Sequence, residues 1–359
     1  MSEANKQETP REYRKPELFA KGAFINKRFN VRAHIGNGGF SHVYEALDTL
    51  TMEPIALKAV HQNLKRIVTR ERRVLKILQR HEHPNIIRLL LDTTALDPRG
   101  DTAHILCYPL MQHSLLNEVL AHKKARGGVG GLDPTMIEPA LRDIVAGMAF
   151  LEEQHVVHLD LKPENILRTR GSSNRLVLAD FGNATPNITH DIKFETQTSW
   201  YRAPEVCLPA NYGFEVDLWS LGCIAYEIEC GRVLFKANTS ARLTYLHYRE
   251  LGAPPPEFLD MVYGNESAPY LIRNPVSHQV YQTVGPWTRM PRAPRPRLST
   301  PRGYRTTPLL QAVLRWMPQE RTTARELVTW PNLCYTDFDN NVSPPLTNIK
   351  AVQEDEDGK

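Results

Sequence analysis

Val156-Val157-His158-Leu159-Asp160-Leu161-Lys162-Pro163-Glu164-Asn165 is the stretch on which the reading of this chain turns. A carboxylate, Asp160, stands in a short polar loop, with a lysine two residues later and an amide, Asn165, five residues later. Val156-Val157 before the loop and Ile166-Leu167 after it are apolar, so both ends are expected to be pinned into a core. Such a loop holds a base, a cation and a metal ligand at fixed separation, which is what transfer of a phosphoryl group demands.

Upstream, Val31, Ala33 and Ile35 alternate with Arg32 and His34, the period of a strand exposed on one face. Gly36-Asn37-Gly38-Gly39-Phe40-Ser41-His42-Val43 follows; its glycines let the backbone approach a polyphosphate, although a lone glycine-rich turn serves equally as a hairpin loop. Ile55-Ala56-Leu57-Lys58 is an apolar run ending in a lysine, and a lysine buried there is costly unless it meets an anion. Residues 65–80 have helical period, with Ile67, Val74, Leu75 and Leu78 on one face and Arg66, Arg70, Arg72 and Arg73 elsewhere. Residues 104–108 read as a strand leading into Pro109-Leu110-Met111. Residues 123–131 are glycine-rich and expected to form a flexible surface connector. Asp133-Pro134 opens a helix through about Glu153, as cap and first residue, while Pro139 is expected to bend it or move its start later. Leu176-Val177-Leu178-Ala179 is a short strand ending in Asp180-Phe181-Gly182, 20 positions after Asp160.

Taken together, these motifs resemble the eukaryotic protein kinases, serine/threonine type, over about residues 29–335. The loop at 156–165 is similar to the family's H-R-D-L-x-x-x-N, with Leu159 in place of arginine, and Gly36, Gly38 and Val43 match its G-x-G-x-x-G-x-V, with Ser41 in place of the third glycine. Trp200-Tyr201-Arg202-Ala203-Pro204-Glu205 resembles the CMGC group (cyclin-dependent, mitogen-activated, dual-specificity and SR-protein kinases). Asp217-Leu218-Trp219-Ser220-Leu221-Gly222 resembles the family's anchoring helix, and Met317-Pro318-Gln319-Glu320-Arg321 its late D-P-x-x-R element, with Met317 replacing the aspartate.

The resemblance implies an α+β, bilobal protein-kinase fold, with a small β-rich N-lobe at about 29–110 and a mainly helical C-lobe at about 111–335. It implies catalytic roles for Asp160 as proton acceptor, Lys162 on the transferring phosphoryl, and Lys58 fixed by Glu71, which lies 13 positions later, a short gap for the family. It assigns ATP to Ile35, Gly36, Asn37, Gly38, Gly39, Phe40, Ser41, Val43, Ala56, Lys58, Tyr108, Pro109, Met111 and Leu167. It assigns Mg2+ to Asn165 and Asp180, Asp217 to the catalytic-loop backbone, and Arg321 to Glu205. Leu159 cannot receive an activation-segment phosphate as arginine does, and Glu195 stands where relatives carry a phosphorylated tyrosine. The implied enzyme is therefore an ATP-dependent serine/threonine protein kinase that acts on protein substrates without activation-loop phosphorylation. A pseudokinase scaffold is the alternative, and a small-molecule kinase is disfavoured because the Ala-Pro-Glu element is present. Residues 61–71 do not resemble a cyclin-binding helix.

Composition sets wider bounds. A net charge of +4 over 359 residues does not argue for a nucleic-acid binder. Five cysteines without a C-x-x-C pair point to free thiols, and no stretch is apolar enough for a membrane span or signal peptide, which leaves cytoplasm or nucleus. Residues 1–28 are expected to be a flexible arm, 253–306 a basic proline-rich insert and 336–359 a disordered acidic tail.

Overall fold

The computed structural model describes residues 17–38, 41–186, 197–208, 210, 212–263 and 305–333. Gly39, Phe40, Glu195, most of the 253–306 insert and the 336–359 tail lie outside the described residues. The chain divides into two compact units, residues 1–65 with 90–108, and residues 66–89 with 109–359.

In the first unit, β1 (Phe24–Ile25), β2 (Phe29–Asn37), β3 (Ser41–Asp48), β4 (Glu53–His61), β5 (Leu91–Leu96) and β6 (Thr102–Pro109) form a six-stranded sheet in the order β1-β2-β3-β4-β6-β5. Alternation decides which side is buried. Tyr44, Ala46, Leu57 and Ala59 are shut into a core with Val31, Ile105 and Cys107, while their neighbours Val43, Glu45, Ala56 and Lys58 stay half-exposed. Two expectations are corrected here. Folded structure starts before Phe29: Leu18 and Phe19 are buried, and their N–H groups donate to the Tyr44 hydroxyl at 2.9 and 3.2 Å. That hydroxyl would otherwise be a costly buried polar group, so the expected flexible arm is tied down from residue 18. Ile35 is 48% exposed, because the β2–β3 register shifts between His34 and Gly36 and breaks the alternation.

The second unit contains α1 (Lys65–Leu78, from Arg66 onward), α2 (Leu115–Ala125), α3 (Pro134–Glu153), β7 (Val156–Val157), β8 (Ile166–Arg168), β9 (Leu176–Leu178) and β10 (Thr185–Pro186). Then follow α4 (Pro204–Cys207), α5 (Glu215–Cys230), α6 (Ser240–Leu251), α7 (Pro256–Tyr263), α8 (Thr307–Val313) and α9 (Ala324–Leu327). α3 starts where its cap signals place it: Asp133 accepts the Thr135 N–H at 3.0 Å and Pro134 is the first helical residue. Pro139 neither breaks the helix nor moves its start; it lies in the second turn, and the loss is confined to the one bond its nitrogen would have given to the carbonyl four residues back.

α5 is the unit's central element, with Val216 through Ile228 buried on every side. It ends at Gly231, φ 67°. The glycine-rich stretch expected to be a flexible connector instead packs against this end. Gly131 N–H and Leu132 N–H donate to Glu229 O and Ile228 O at 3.1 and 2.6 Å, and Lys123 Nζ reaches Gly231 O at 2.7 Å. A Cβ on Gly131 would lie 2.0 Å from Ile228 O, so this glycine serves a close backbone crossing rather than mobility, while Gly127 and Gly128 have open space around them and serve turns at positive φ. Met317, where the family has aspartate, is buried in an apolar cluster with Trp316, Phe258, Val262 and Tyr248.

Candidate functional site

The first unit presents its candidates on one row of the sheet. Cross-strand register pairs Gly36 with Val43 and Val43 with Lys58, and directly opposed residues share a face. Ala56, two residues before Lys58, joins that face, opposite to the side that carries the core. At the hairpin end, Gly38 N–H donates to Ser41 O at 2.8 Å, and a Cβ on Gly38 would lie 2.6 Å from Ser41 Oγ. Ser41 is buried, so the residue that replaces the family's third glycine folds back into the hairpin. Tyr108 is buried at the end of β6, followed by half-exposed Pro109 and Met111.

In the second unit, the loop after β7 is held from three directions. Asp217, fully buried on α5, accepts the N–H groups of His158 and Leu159 at 2.6 and 3.0 Å. Burial pushes the Asp217 carboxyl up to about 7, against the opposing pull of those two donors. Leu159 takes φ 63°, a conformation unusual for a side chain of its size, and the paired N–H bonds are what hold it. The buried His158 ring lies 4.9 Å from the Phe181 ring, with Nε2 3.0 Å from Ala179 O and Nδ1 3.3 Å from the Asp160 nitrogen. These partners fit a neutral ring with the proton on Nε2, and desolvation lowers the His158 pKa accordingly.

Asp160 itself is buried and fully engaged. Its Oδ1 accepts the Thr198 N–H at 3.1 Å and the Thr198 hydroxyl at 2.7 Å. Its Oδ2 accepts Lys162 Nζ at 3.0 Å and Asn165 Nδ2 at 3.3 Å. Lys162 also donates to Thr198 Oγ1 at 2.8 Å, so lysine, threonine and aspartate close a small ring of hydrogen bonds. Asn165 uses Nδ2 for Asp160 O at 2.8 Å, which leaves the amide oxygen as its ligand atom. The β8–β9 register pairs Ile166 with Leu178, and Ala179 N–H donates to Asn165 O at 2.9 Å. Asn165 and Asp180 therefore belong to the same end of the hairpin, with Asp180 exposed at φ 62° and Leu167 inside β8.

Glu71 is buried on α1, not displayed on its surface, and its Oε2 lies 3.6 Å from where a Gly182 Cβ would be. Arg321 grips Glu205 with both Nη atoms, both residues having no exposed side-chain surface. Gln197 was not singled out by its sequence, yet it locks the segment after Asp180 onto α5. Buried at φ 66°, it accepts the Ala203 N–H at 3.1 Å and donates to Val216 O and Ser220 Oγ at 3.2 and 3.1 Å. A lone glutamine carries no periodic signal.

The protein kinase domain model matches residues 29–332. A protein of Arabidopsis thaliana described as a probable serine/threonine-protein kinase is 30% identical over 90% of this chain and 54% of its own length; the chain thus spans about half of that relative. Cell division control protein 2 homolog 3 of Trypanosoma brucei brucei is 33% identical over 63% of this chain and 70% of its own length. Cyclin-dependent kinase 4 of Mus musculus is 33% identical over 64% of this chain and 76% of its own length. A crystal structure described as a kinase domain superposes with a TM-score of 0.72 at 21% identity, covering 88% of this chain and 98% of that one, and shares the fold. The chain belongs to the protein kinase family, serine/threonine type, in the CMGC-like group.

Proposed function

We propose that this chain transfers the γ-phosphoryl group of ATP to serine or threonine hydroxyls of protein substrates. The observation that carries the reading is the Asp160 carboxylate, fixed by Thr198 on one oxygen and by Lys162 on the other. A carboxylate so held orients the acceptor hydroxyl and takes its proton, while Lys162 offsets charge on the transferring group. Positioning and electrostatics supply most of the rate in such reactions, so preorganisation is the main requirement.

The roles of the remaining residues follow the family. Lys58 takes the α- and β-phosphates, and Glu71 is the acid the family pairs with that lysine. Ile35, Gly36, Asn37, Gly38, Ser41, Val43, Ala56, Tyr108, Pro109, Met111 and Leu167 surround the nucleotide; Pro109 offers only its carbonyl, having no N–H. The residues present fit magnesium: the Asn165 amide oxygen and the exposed Asp180 carboxylate are hard oxygen donors at one hairpin end. Magnesium there supplies neutralisation of phosphate charge. Leu159, buried and apolar with its N–H on Asp217, offers no cation to an activation-segment phosphate, which supports activity without that phosphorylation. Asp160→Asn and Lys58→Met should each abolish incorporation of labelled phosphate while the chain stays folded; retained activity in either would overturn the assignment. Inactivation by phosphatase, reversed by an activating kinase, would overturn the independence from phosphorylation.

A further inference from the structure

His61 closes β4, three residues beyond Lys58, and the turn between β5 and β6 carries Asp97 and Asp101. All three belong to the first unit, where β6 lies between β4 and β5 in the sheet. The end of β4 meets that turn so closely that one ligand atom from each residue, an imidazole nitrogen and two carboxylate oxygens, lies within 4.8 Å of the other two.

The turn fixes and aims the first carboxylate. Asp97 N–H donates to Asp101 O at 2.8 Å, and Gly100 N–H donates to Asp97 O at 2.9 Å. Asp97 Oδ1 accepts the N–H groups of Arg99 and Asp101, both at 2.9 Å. Its Oδ2 is turned instead to His61 Nε2, 4.0 Å away, and accepts no hydrogen bond among the described residues. That separation is too long for a hydrogen bond. The Asp97 side chain is only 3% exposed, and a buried carboxylate oxygen without a donor is costly. A cation between the two atoms removes the cost. Ligand atoms each about 2.0–2.2 Å from one zinc ion stand roughly 3.4 Å apart at the tetrahedral angle and up to roughly 4.2 Å apart at wider ones. His61 is half-exposed and Asp101 exposed, so their side chains can rotate to close the set around the fixed Asp97.

We propose that His61 Nε2, Asp97 Oδ2 and a carboxylate oxygen of Asp101 bind a zinc ion, with water in the fourth position. Carboxylates alone would suit magnesium or calcium, whereas an imidazole among them favours a transition metal. Three mixed nitrogen and oxygen ligands with one open position match zinc. The N–H bonds to Asp97 Oδ1 are the outer contacts that hold a ligating carboxylate in orientation. Zinc there ties the end of β4 to the β5–β6 turn and stiffens the strand that carries Lys58. The site uses none of the residues assigned to ATP or magnesium, and it rests on no assumption about phosphoryl transfer.

Zinc chloride titrated calorimetrically into the full chain, with hydrogen exchange to locate the ion, tests this. Zinc should slow exchange several-fold in segments 59–62 and 96–102 of the wild type, a comparison that depends on no variant folding. His61→Gln and Asp101→Asn, at accessible positions, should each bind that ion at least roughly tenfold more weakly and lose the protection. Magnesium chloride in place of zinc should leave both segments unchanged. No zinc uptake by the wild type would overturn the site, as would equal affinity in the wild type and both variants. Protection by zinc confined to other segments would mark binding to other histidines or to thiols and would overturn it too. Equal protection by magnesium would overturn the assignment to zinc.

Discussion

Replacing Arg321 with methionine removes the cation from a pair that has no exposed side-chain surface on either partner. Arg321 contacts Glu205 through both Nη atoms, donates to Glu215 O at 2.8 Å and to Arg315 O at 3.1 and 3.0 Å, and lies 5.2 Å above the Trp219 ring. The variant leaves the Glu205 carboxylate buried with its charge uncompensated, and two carbonyls lose donors. Removing one partner of a buried pair costs about 3–5 kcal/mol, which for a unit of this size is a drop of roughly 10–15 °C in melting temperature. Urea unfolding followed by tryptophan fluorescence reports on it, since Trp219 and Trp316 both belong to the second unit. The double variant Arg321→Met/Glu205→Leu should recover at least about 1 kcal/mol of the loss, because two apolar side chains leave no charge unpaired. A single-variant cost below about 1 kcal/mol, or a double variant at the plain sum of both singles, would refute the claim that this pair joins the segment at 205 to the one at 321.

Thr198→Val keeps the backbone N–H bond to Asp160 but loses the hydroxyl bond and the Lys162 contact; kcat should fall roughly 10- to 100-fold, with Thr198→Ser near wild type, in a phosphate-incorporation assay. His247 is fully buried among Trp219, Phe235 and Trp316, with both ring nitrogens lacking a partner among the described residues, and burial beside Arg321 holds its pKa at about 3. Below an unfolded pKa of about 6.5 the unfolded chain binds a proton that the folded chain refuses, so this contribution to stability is complete above pH ~6.5 and declines as pH falls towards 3. His247→Leu should flatten the loss of stability between those pH values in urea titrations; an unchanged pH profile would contradict the assignment. Gly131→Ala, whose Cβ would meet Ile228 O at 2.0 Å, should destabilise by about 1–3 kcal/mol in the same assay, against no effect for a true flexible connector.

Much of the candidate site was legible because its side chains fall in short local motifs whose spacing the sequence records. Asp160, Lys162 and Asn165 lie within six residues, and the β8–β9 hairpin that brings Asp180 alongside is short. Long-range pairings were legible only through family resemblance: nothing in a period of 2 or 3.6 links Glu205 to Arg321. What the residues alone misread has physical causes. Glycines at 127, 128, 130 and 131 together suggest mobility, but composition cannot tell that Gly131 is required by a backbone crossing. Residues 18 and 19 belong to the fold because a buried tyrosine hydroxyl 26 and 25 positions later accepts their N–H groups. Ile35 leaves the alternating face because a register shift resets it. Gln197 works through three hydrogen bonds to groups 6 to 23 residues away, a pattern no local reading contains.

A single experiment tests phosphoryl transfer by this chain most directly. The purified chain is incubated with magnesium, γ-labelled ATP and a degenerate peptide library, beside Asp160→Asn, and the labelled residues are identified by mass spectrometry. Label on serine and threonine with the wild type, and none with the variant, is the predicted result. A folded wild type that labels nothing, or a variant that labels as well as the wild type, would contradict it.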